Sequence, residues 1–453
     1  MTEVVVAGGG LAGLVAARRL ADAGAEVRLY ERHPELGGRV RSLERDGFVL
    51  DRGFQVLFTA YPAARRELDF GGLDLRQFKP GAVVARPGHR SVLADPFRDV
   101  DAALETLFNR DVTLRDKLAV WRLRRELAAE PIGAILAGRD EPTREYLRER
   151  GFSEQFLSNF AEPFYGGITL DRSLATSRKV FEFTFKMLTV GEIAVPARGM
   201  GAITDQLADR ARDAGVEVAT GRTVTEVGAT AEGGAIAAAG TATAAARNPG
   251  DGEVAVELGR ETTTADAVVV ATDPKQAREL TGVAAIPTDA KGCVTQYLSF
   301  DGAELDAGRR LLLNAAGTEP SGDSETTDAP APNHVAQLSS VAPEYAPDDR
   351  NLLSATYLGV PDAPDENLVE RTARTLESWY PERRLDLDHR HTSRIEFGQF
   401  AQPPGIHDDL PDVRAPGGPV YLAGEYTEAS SLNAAMESGR AAATAVVEDL
   451  GLE

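Results

Sequence analysis

The sequence predicts an α/β protein with a parallel sheet near its N-terminus, and three observations lead to this fold class. The first thirty residues alternate an apolar strand, a glycine turn, an amphipathic helix and a second strand. The run Glu3–Ala7 (EVVVA) is almost continuously apolar, as a parallel strand buried on both faces should be. The chain has 453 residues, of which 43% are hydrophobic and 26% charged. Because single cores stop growing at about 250–300 residues, we expect two domains or one domain with a large insertion.

The N-terminal elements follow from local patterns. Helical periodicity places the apolar side chains of residues 11–23 on one side, and Gly24 is typical of a helix end. The next run, Glu26–Tyr30 (EVRLY), predicts a second strand. Together with Glu3–Ala7 these segments form a βαβ unit.

The remaining elements are spread along the chain. The patterns predict helices over residues 112–129, most of 141–186, 200–214 and 433–450. They predict strands over residues 216–219, 223–227, 267–271, 293–300 and 420–423. Two stretches of low complexity, residues 229–252 and 317–333, are expected to form surface loops or elaborated hairpins.

The charge balance is strongly acidic. Lys and Arg number 49 against 70 Asp and Glu, which gives a net charge of −21, and only six of the cations are lysines. Acidity of this size argues against nucleic-acid binding and disfavours docking on anionic lipid, since both depend on basic surfaces. An excess of acids with scarce lysine is typical of a halophilic protein, whose carboxylates keep it soluble in concentrated salt.

Cysteine usage and hydropathy limit the class further. A single cysteine, Cys293, excludes an intramolecular disulfide and a cysteine-built metal site. His389 and His391 could share a strand face, but without a third ligand we expect no metal site. The longest uncharged apolar run, residues 4–17, is too short to span a membrane, and no signal peptide is visible. We therefore expect a soluble, cytoplasmic protein.

The first motif with chemical content is the glycine turn after the first strand. Gly8, Gly10 and Gly13 fit the pattern G-x-G-x-x-G, and the acid Glu31 ends the second strand. The first glycine allows a tight turn, the second a close approach to a pyrophosphate, and the third close helix packing. The helix N-terminus offers free N–H groups to phosphate, and Glu31 suits a ribose diol. This context predicts a dinucleotide site.

A second glycine turn follows at residues 36–40 (LGGRV). The pattern V-x3-E-x5-G-G-R, which runs from Val27 to Arg39, resembles the N-terminal signature of the superfamily of flavin-containing amine oxidases, phytoene desaturases and protoporphyrinogen oxidases. The phytoene dehydrogenase-like members are the most similar. The resemblance implies FAD as the cofactor.

Further fragments resemble the same superfamily in the same order. They are the loop Asp51–Leu57, the turn Pro196–Gly201, the pair Gly424-Glu425 and the segment Ala435–Ala442. The resemblance implies that FAD is bound by Gly8, Gly10, Leu11, Ala12, Gly13, Glu31, Arg32, Gly38, Arg39, Gly53, Gln55, Val224, Gly424, Glu425, Asn433 and Ala434.

The resemblance also implies a domain organisation. A discontinuous, Rossmann-like FAD-binding domain is expected from residues 1–75, 196–285 and 415–453. An inserted α+β substrate domain is expected from residues 76–195 and 286–414.

Aromatic residues mark the expected substrate domain. Phe152, Phe156, Phe160 and Phe164 are spaced by four, which puts them on one helical face. They form either ordinary core or part of a tunnel for a large apolar substrate. No acid–base pair suggests itself, so the flavin carries the chemistry, and the residues expected to line the substrate are Phe164, Tyr165 and Tyr426.

The expected function is that of an FAD-dependent oxidoreductase that moves a hydride from a C–H bond to flavin N5. A bulky, terpenoid- or carotenoid-like substrate is favoured, and transient contact with a membrane surface would collect it. Oxygen, a quinone or another carrier would reoxidise the flavin.

Three alternatives stay open at this stage. The first is an amine oxidase, in which a lysine such as Lys291 holds a water at the flavin; it is disfavoured because Ser430-Ser431-Leu432 stands where a second aromatic is usual. The second is a non-redox flavin isomerase. The third is a lipid-binding protein of the GDP-dissociation-inhibitor type, which would not need Glu31, Arg39 and Glu425 together.

Overall fold

The computed structural model describes residues 1–94, 109, 111–230, 236–238, 253–318 and 330–452. Most of the two low-complexity stretches predicted as loops or hairpins, within residues 229–252 and 317–333, lies outside these described residues.

The strands and helices of the described residues are numbered here in chain order. The strands are β1 Glu3–Ala7, β2 Glu26–Glu31, β3 Ser42–Arg45, β4 Phe48–Asp51, β5 Leu57–Phe58, β6 Leu75–Gln77, β7 Ala82–Arg86, β8 His89–Leu93, β9 Ile193–Pro196, β10 Glu217–Thr220, β11 Glu226–Thr230, β12 Ile236–Ala238, β13 Val254–Leu258, β14 Glu261–Ala265, β15 Ala267–Val270, β16 Ala290–Phe300, β17 Leu311–Asn314, β18 His334–Gln337, β19 Asn351–Leu358, β20 Asp388–Phe400 and β21 Val420–Leu422. The helices are α1 Leu11–Asp22, α2 Pro62–Glu67, α3 Phe70–Leu73, α4 Leu114–Ala129, α5 Ile132–Ala137, α6 Thr143–Glu149, α7 Glu154–Phe156, α8 Glu162–Thr169, α9 Arg178–Val190, α10 Gly201–Asp213, α11 Pro274–Thr281, α12 Leu338–Val341, α13 Asp365–Trp379, α14 Ile406–Asp409 and α15 Leu432–Leu450.

A five-stranded parallel sheet has the order β10-β2-β1-β15-β21 and confirms the predicted α/β class. Its central strand β1 pairs Val4 with Val27 of β2 and with Ala267 of β15. Val4, Val5 and Val6 are fully buried, because both faces of this strand are covered. The sheet thus joins segments from the beginning, the middle and the end of the sequence. The predicted domain boundaries themselves stay a prediction.

Helix α15 packs against α1 on one face of this sheet. The two backbones approach closely at Gly439, where an added Cβ would lie 2.2 Å from the carbonyl oxygen of Ala12. Only glycine fits this crossing, since real side chains do not approach a backbone atom so closely. The C-terminal helix is therefore held directly above the glycine turn that follows β1.

A second large sheet has seven strands in the order β20-β16-β19-β18-β17-β7-β8. Its pairs are antiparallel apart from β17 with β7, which run parallel. Val335 of β18, on one face, joins an apolar cluster with Leu368 and Trp379 of α13. His334, the residue before Val335 on β18, points to the other face. That other face lines the cavity described below.

The segment predicted to be mostly helical contains a continuous helix built from α7, a π-helical turn Leu157–Ala161, and α8. Phe152, Phe156, Phe160 and Phe164 stack in series, with ring centroids 4.6, 5.5 and 5.1 Å apart. In a regular α-helix a spacing of four overshoots one turn, so the rings would drift around the axis. The wider π turn offsets this drift for Phe156, Phe160 and Phe164. Phe152, expected on the same helical face, instead precedes the helix N-cap Ser153.

Membrane spans are absent from the helices of the described ranges, since none is both long enough and apolar enough to cross a bilayer.

Candidate functional site

A cavity of about 920 Å³ lies between the parallel sheet and the seven-stranded sheet. Its walls include Gly8 after β1, Glu31 at the end of β2 and Ala271 after β15, which are the carboxyl ends of three parallel strands. On the opposite side they include Leu313 of β17 and His334 of β18. A crevice at the carboxyl ends of parallel strands is where ligands bind in open α/β sheets.

The glycine turn at one end of the cavity needs its glycines for different reasons. Gly8 has φ +112°, and a Cβ there would lie 2.6 Å from the oxygen of Ala271. A Cβ at Gly13 would lie 1.9 Å from the oxygen of Gly8, so this residue serves packing and does not line the cavity. Gly10 lines the cavity, and a Cβ there would meet no protein atom within 4 Å. The N-terminal N–H groups of α1 therefore face open space that suits an anion.

Glu31 is buried beside this turn, with only 5% of its surface exposed. Its carboxylate accepts hydrogen bonds from the backbone N–H of Gly9 at 2.8 Å and of His33 at 2.9 Å. These two bonds hold the carboxylate in place, and an ionised carboxylate has about four acceptor positions. Two positions are left for donors such as the hydroxyls of a ribose.

Arg39 and Gln55 form the wall next to the second glycine turn. The Arg39 Nη1 atom lies 2.5 Å from Glu425 Oε1 and donates to the oxygen of Gly398 at 3.0 Å. Gln55 donates through Nε2 to the oxygen of Arg39 at 2.9 Å, while its buried Oε1 has no hydrogen-bond partner among the described residues. A buried acceptor without a partner is unfavourable, so Gln55 Oε1 indicates that a ligand supplies a donor here.

Asp51 lies just before the loop that carries Gln55, and its hydrogen bonds connect this loop to other parts of the chain. Its carboxylate accepts from Ser42 Oγ at 2.5 Å, from the N–H of Met200 at 2.8 Å and from the Tyr345 hydroxyl at 3.0 Å. Complete burial nevertheless raises the pKa of Asp51 to about 6. Asp51 does not line the cavity; it positions the loop that carries Gly53 and Gln55.

The sequence matches the family of flavin containing amine oxidoreductases over residues 11–447. The chain belongs to this family. The resemblance drawn from the sequence is therefore confirmed, and the protein is an FAD-dependent oxidoreductase.

Curated relatives and solved structures agree with this assignment. A carotenoid 3,4-desaturase of Haloarcula japonica is 28% identical over 260 residues, so this match spans about half (51%) of each chain. A 15-cis-phytoene desaturase of Synechococcus elongatus is 23% identical, and the match covers 98% of this chain and 96% of the relative.

Two solved structures share the fold. An oxidoreductase from Methanosarcina mazei superposes with a TM-score of 0.66 at 19% identity, covering 98% of this chain and 100% of that chain. A putrescine oxidase with bound putrescine gives a TM-score of 0.67 at 15% identity, covering 99% of each chain.

The cavity of this flavin-containing oxidoreductase fits FAD at one end. The glycine turn leaves room for a pyrophosphate, Glu31 offers acceptors, and Gln55 Oε1 needs a donor. Thirteen of the sixteen residues predicted to bind FAD line the cavity: Gly8, Gly10, Leu11, Ala12, Glu31, Arg32, Gly38, Arg39, Gly53, Gln55, Val224, Gly424 and Glu425.

Three predicted residues do not line it. Besides Gly13, these are Asn433 and Ala434 in the first turn of α15. The Asn433 side chain turns away to accept the N–H of Ala63 at 2.9 Å, and the N–H of Ala434 is capped by Ser431 Oγ at 3.0 Å. The cavity is instead lined here by Ser430, Ser431, Leu432 and Ala435.

The other end of the cavity is apolar and is lined by Phe54, Phe78, Pro163, Phe164, Ile168, Leu311 and Leu313. Of the aromatic stripe only Phe164 lines the cavity, while Phe152, Phe156 and Phe160 belong to the core around α4 and α9. The choice between tunnel and core is thus resolved residue by residue.

The two tyrosines predicted to line the substrate lie in different places. Tyr165 does not line the cavity, because its ring packs 4.6 Å from Phe181 in the helical core. Tyr426 lines the cavity and stays a candidate for the substrate wall; its hydroxyl lies 3.1 and 3.2 Å from the oxygens of Val270 and Ala423, to which it can donate. It covers Gly424, whose added Cβ would lie 2.2 Å from the Tyr426 ring.

Two other side chains considered from the sequence have clear positions. The Lys291 ammonium lies 3.2 Å from Asp171 and is absent from the cavity wall, so its position does not suit holding a water at the flavin. Cys293 lines the apolar part, and burial raises its pKa to about 11, which keeps it a neutral thiol.

Sequence reasoning missed His334. This residue lines the cavity and is 3% exposed, and burial and the nearby charge of Arg172 lower its pKa to about 4, so the imidazole is neutral. A lone histidine in the short run Asn333-His334-Val335 carries no motif. The only available signal was a histidine at the start of a short run with two apolar residues in its middle, HVAQ.

Proposed function

We propose that this oxidoreductase takes a hydride from a C–H bond of a bulky, apolar, carotenoid- or terpenoid-like substrate. The observation that carries the proposal is the apolar end of the cavity, where aromatic and aliphatic side chains from the two sheets and from α8 meet. Such an apolar wall matches a large hydrocarbon skeleton better than a small charged amine.

Bound FAD supplies the hydride acceptor, its flavin N5, and the protein supplies binding and orientation. We assign the pyrophosphate to the glycine turn and the N-terminus of α1, and the adenosine ribose to Glu31. Arg39, fixed by Glu425, adds a cation next to the second glycine turn. The apolar end would keep water from the reacting C–H bond, and bound FAD would supply the acceptor for the hydride and for the proton that leaves the adjacent carbon.

Amine oxidation is the second candidate, and the position of Ser430 and Ser431 weighs against it. Both serines line the cavity where a second aromatic ring would flank an amine. Ser431 is also committed to capping α15 through its Oγ atom. Relatives named as desaturases of carotenoids and phytoene agree with the polyene proposal.

The decisive experiment is anaerobic reduction of the bound flavin, followed through its absorption band. A polyene presented in detergent micelles should bleach the flavin, whereas putrescine and primary amines should not. Rapid bleaching by an amine with no response to any polyene would establish the amine oxidase instead. Saturable polyene binding with no bleaching would favour an isomerase, and a purified protein unable to take up FAD would favour a flavin-free lipid carrier.

A matched pair of variants locates the substrate. Phe164→Leu removes an aromatic wall of the cavity and should weaken polyene binding about threefold to tenfold, because one aromatic contact contributes on the order of 1 kcal/mol. Phe160→Leu, one step earlier in the same ring stack, lies outside the cavity wall and should leave polyene binding unchanged. Equal effects of the two substitutions would argue against this substrate position.

We also propose that α4 touches a membrane surface to collect the substrate. Leu114, Leu118 and Trp121 form one face of this helix, here called the Trp121 face, and they are 75, 47 and 43% exposed. The exposed arginines of the same helix, Arg115, Arg122 and Arg125, flank this face in a protein of net charge −21. Exposed apolar side chains with neighbouring cations are typical of helices that lie on anionic bilayers. This local patch would act against the overall acidity of the chain, which by itself disfavours such docking.

Tryptophan fluorescence tests this contact directly. The sequence has two tryptophans, and Trp379 is only 1% exposed, so an environment change on vesicle addition reports Trp121. We expect a blue shift with vesicles of phosphatidylcholine and phosphatidylglycerol, and about tenfold weaker cosedimentation for Trp121→Gln. Leu43→Gln, which alters an exposed apolar residue of β3 outside the cavity wall, is the control. An unshifted spectrum would refute the contact.

A further inference from the structure

His334 occupies a distinctive place in the wall of the cavity. It opens β18 in the middle of the seven-stranded sheet, paired with Leu313 of β17 on one side and with Thr356 of β19 on the other. Its imidazole packs against the ring of Phe54, with centroids 5.0 Å apart and planes inclined by 62°. Phe54, Leu313 and His334 all line the apolar end of the cavity.

A chain of hydrogen bonds fixes which ring nitrogen carries the proton. Arg172 Nη1 lies 3.1 Å from Asn333 Oδ1, and because a guanidinium can only donate, this oxygen must be the acceptor. The amide Nδ2 of Asn333 therefore points the other way, and it donates to the oxygen of Pro163 at 2.9 Å. Its second hydrogen faces His334 Nδ1 at 3.1 Å.

The consequence is a single tautomer of the imidazole. Nδ1 accepts from Asn333, so in a neutral ring the proton must sit on Nε2. Nε2 is buried and has no hydrogen-bond partner among the described residues. A buried N–H donor without an acceptor is unfavourable, so this site is built for an acceptor that arrives with a ligand.

We infer that His334 is a specificity-determining residue whose Nε2–H donates a hydrogen bond to an oxygen atom of the substrate. The substrate is then a bulky apolar molecule that carries a hydroxyl, keto or ether oxygen, and not a pure hydrocarbon. This inference rests on the proposed function and deepens it. His334 contacts Phe54 and Gly167, which belong to the apolar end and not to the glycine turn. The FAD content of the variants below separates a substrate oxygen from an oxygen of the flavin ring.

The test compares two polyenes of equal length, one a hydrocarbon and one with a single hydroxyl or keto group. Each is titrated in detergent into the FAD-loaded enzyme, and binding is measured from the perturbation of the flavin spectrum. The wild-type enzyme should bind the oxygenated polyene about tenfold more tightly, as expected for one hydrogen bond to a buried donor. His334→Phe should reduce this preference to less than twofold without weakening hydrocarbon binding.

His334→Gln keeps an N–H donor near the position of Nε2 and should restore most of the preference. FAD content and the melting temperature are measured for all three proteins, so that a folding defect of His334→Phe is recognised and His334→Gln then carries the comparison. Equal binding of both polyenes by the wild type, or an unchanged preference in His334→Phe, overturns the inference while the proposed function stands. Bleaching by amines with no binding of either polyene overturns both.

Discussion

Arg39 and Glu425 form an ion pair, with Nη1 and Oε1 2.5 Å apart, although 386 residues separate them in the sequence. The Glu425 side chain is 7% exposed and that of Arg39 33%, so the pair sits at the edge of the buried interior. Arg39 also donates to the oxygen of Gly398. One guanidinium thus connects the second glycine turn, strand β20 and the segment before α15.

The pair should be strongly coupled in stability. Glu425→Gln leaves the Arg39 charge with only the Gly398 oxygen, and Arg39→Gln leaves a buried carboxylate without its cation; each should destabilise the fold by about 1–3 kcal/mol. The double variant should lose clearly less unfolding free energy than the two single variants lose together, as measured by denaturant unfolding. Arg212→Gln, which breaks an exposed pair with Asp209, is the control and should cost under about 0.5 kcal/mol. Additive losses would show that the pair does not interact.

Glu31 should determine selectivity for the adenosine half of the cofactor. We expect Glu31→Gln to weaken FAD binding at least tenfold, because a neutral amide is a poorer acceptor for ribose hydroxyls and for the N–H of Gly9. Glu35→Gln makes the same charge change on a side chain that is 74% exposed and should have no effect. The measurement is the dissociation constant of FAD for the apoprotein of each variant. If both variants lose FAD equally, the effect is one of net charge.

Asp51 should give stability an unusual dependence on pH. Burial raises its pKa in the folded protein to about 6 from an ordinary 3.8, so the folded state holds the proton more tightly than the unfolded state. The contribution to stability is full below about pH 4 and is lost as the pH rises through about 6.

The side chain of the Asp51→Asn variant cannot titrate, so the variant should lack this pH-dependent contribution to the free energy of unfolding. Relative to the variant, the wild type should lose roughly 2–3 kcal/mol of unfolding free energy between pH 4 and pH 7 at constant salt. Asp46→Asn, on an exposed turn, is the control and should track the wild type. A difference that is independent of pH, or that grows in the opposite direction, would contradict the raised pKa.

Salt should stabilise this protein. With a net charge of −21, repulsion among carboxylates opposes the compact state. The screening length falls from about 10 Å at 0.1 M salt to about 3 Å at 1 M. We expect the melting temperature and the retention of FAD to rise together over this range of potassium chloride. A flat or falling melting temperature would argue against a halophilic protein.

Much of the FAD end could be predicted because backbone chemistry dictates its residues. Gly8 has a positive φ, and a Cβ at Gly13 would clash with a backbone oxygen. Both positions therefore require glycine, and the sequence shows these glycines at a fixed spacing. Asn433 and Ala434 do not line the cavity, because the direction of a side chain in a first helical turn depends on its partners. The Asn433 side chain accepts a hydrogen bond from the N–H of Ala63, and the sequence around residue 433 does not predict this contact.

The residues of the apolar end were harder to predict, since their roles depend on contacts between residues that are distant in sequence. His334 gains its role through Arg172 and Asn333, and Arg172 lies 161 residues before Asn333. Tyr165 follows Phe164 directly, yet the turn of the helix sends one ring to the cavity and the other to Phe181. The π turn that aligns the phenylalanines has no signature in residue composition.

The order of strands in the parallel sheet has a consequence for biosynthesis. The βαβ unit of β1, α1 and β2 leaves the ribosome first, but its neighbour β15 follows more than 230 residues later, and β21 and α15 come last. Until α15 is made, the surface of α1 that receives Gly439 stays exposed on the nascent chain. We therefore expect FAD to bind late, after translation is complete. Chains that end before residue 420 should bind no FAD, and so be colourless, and should be degraded by proteases.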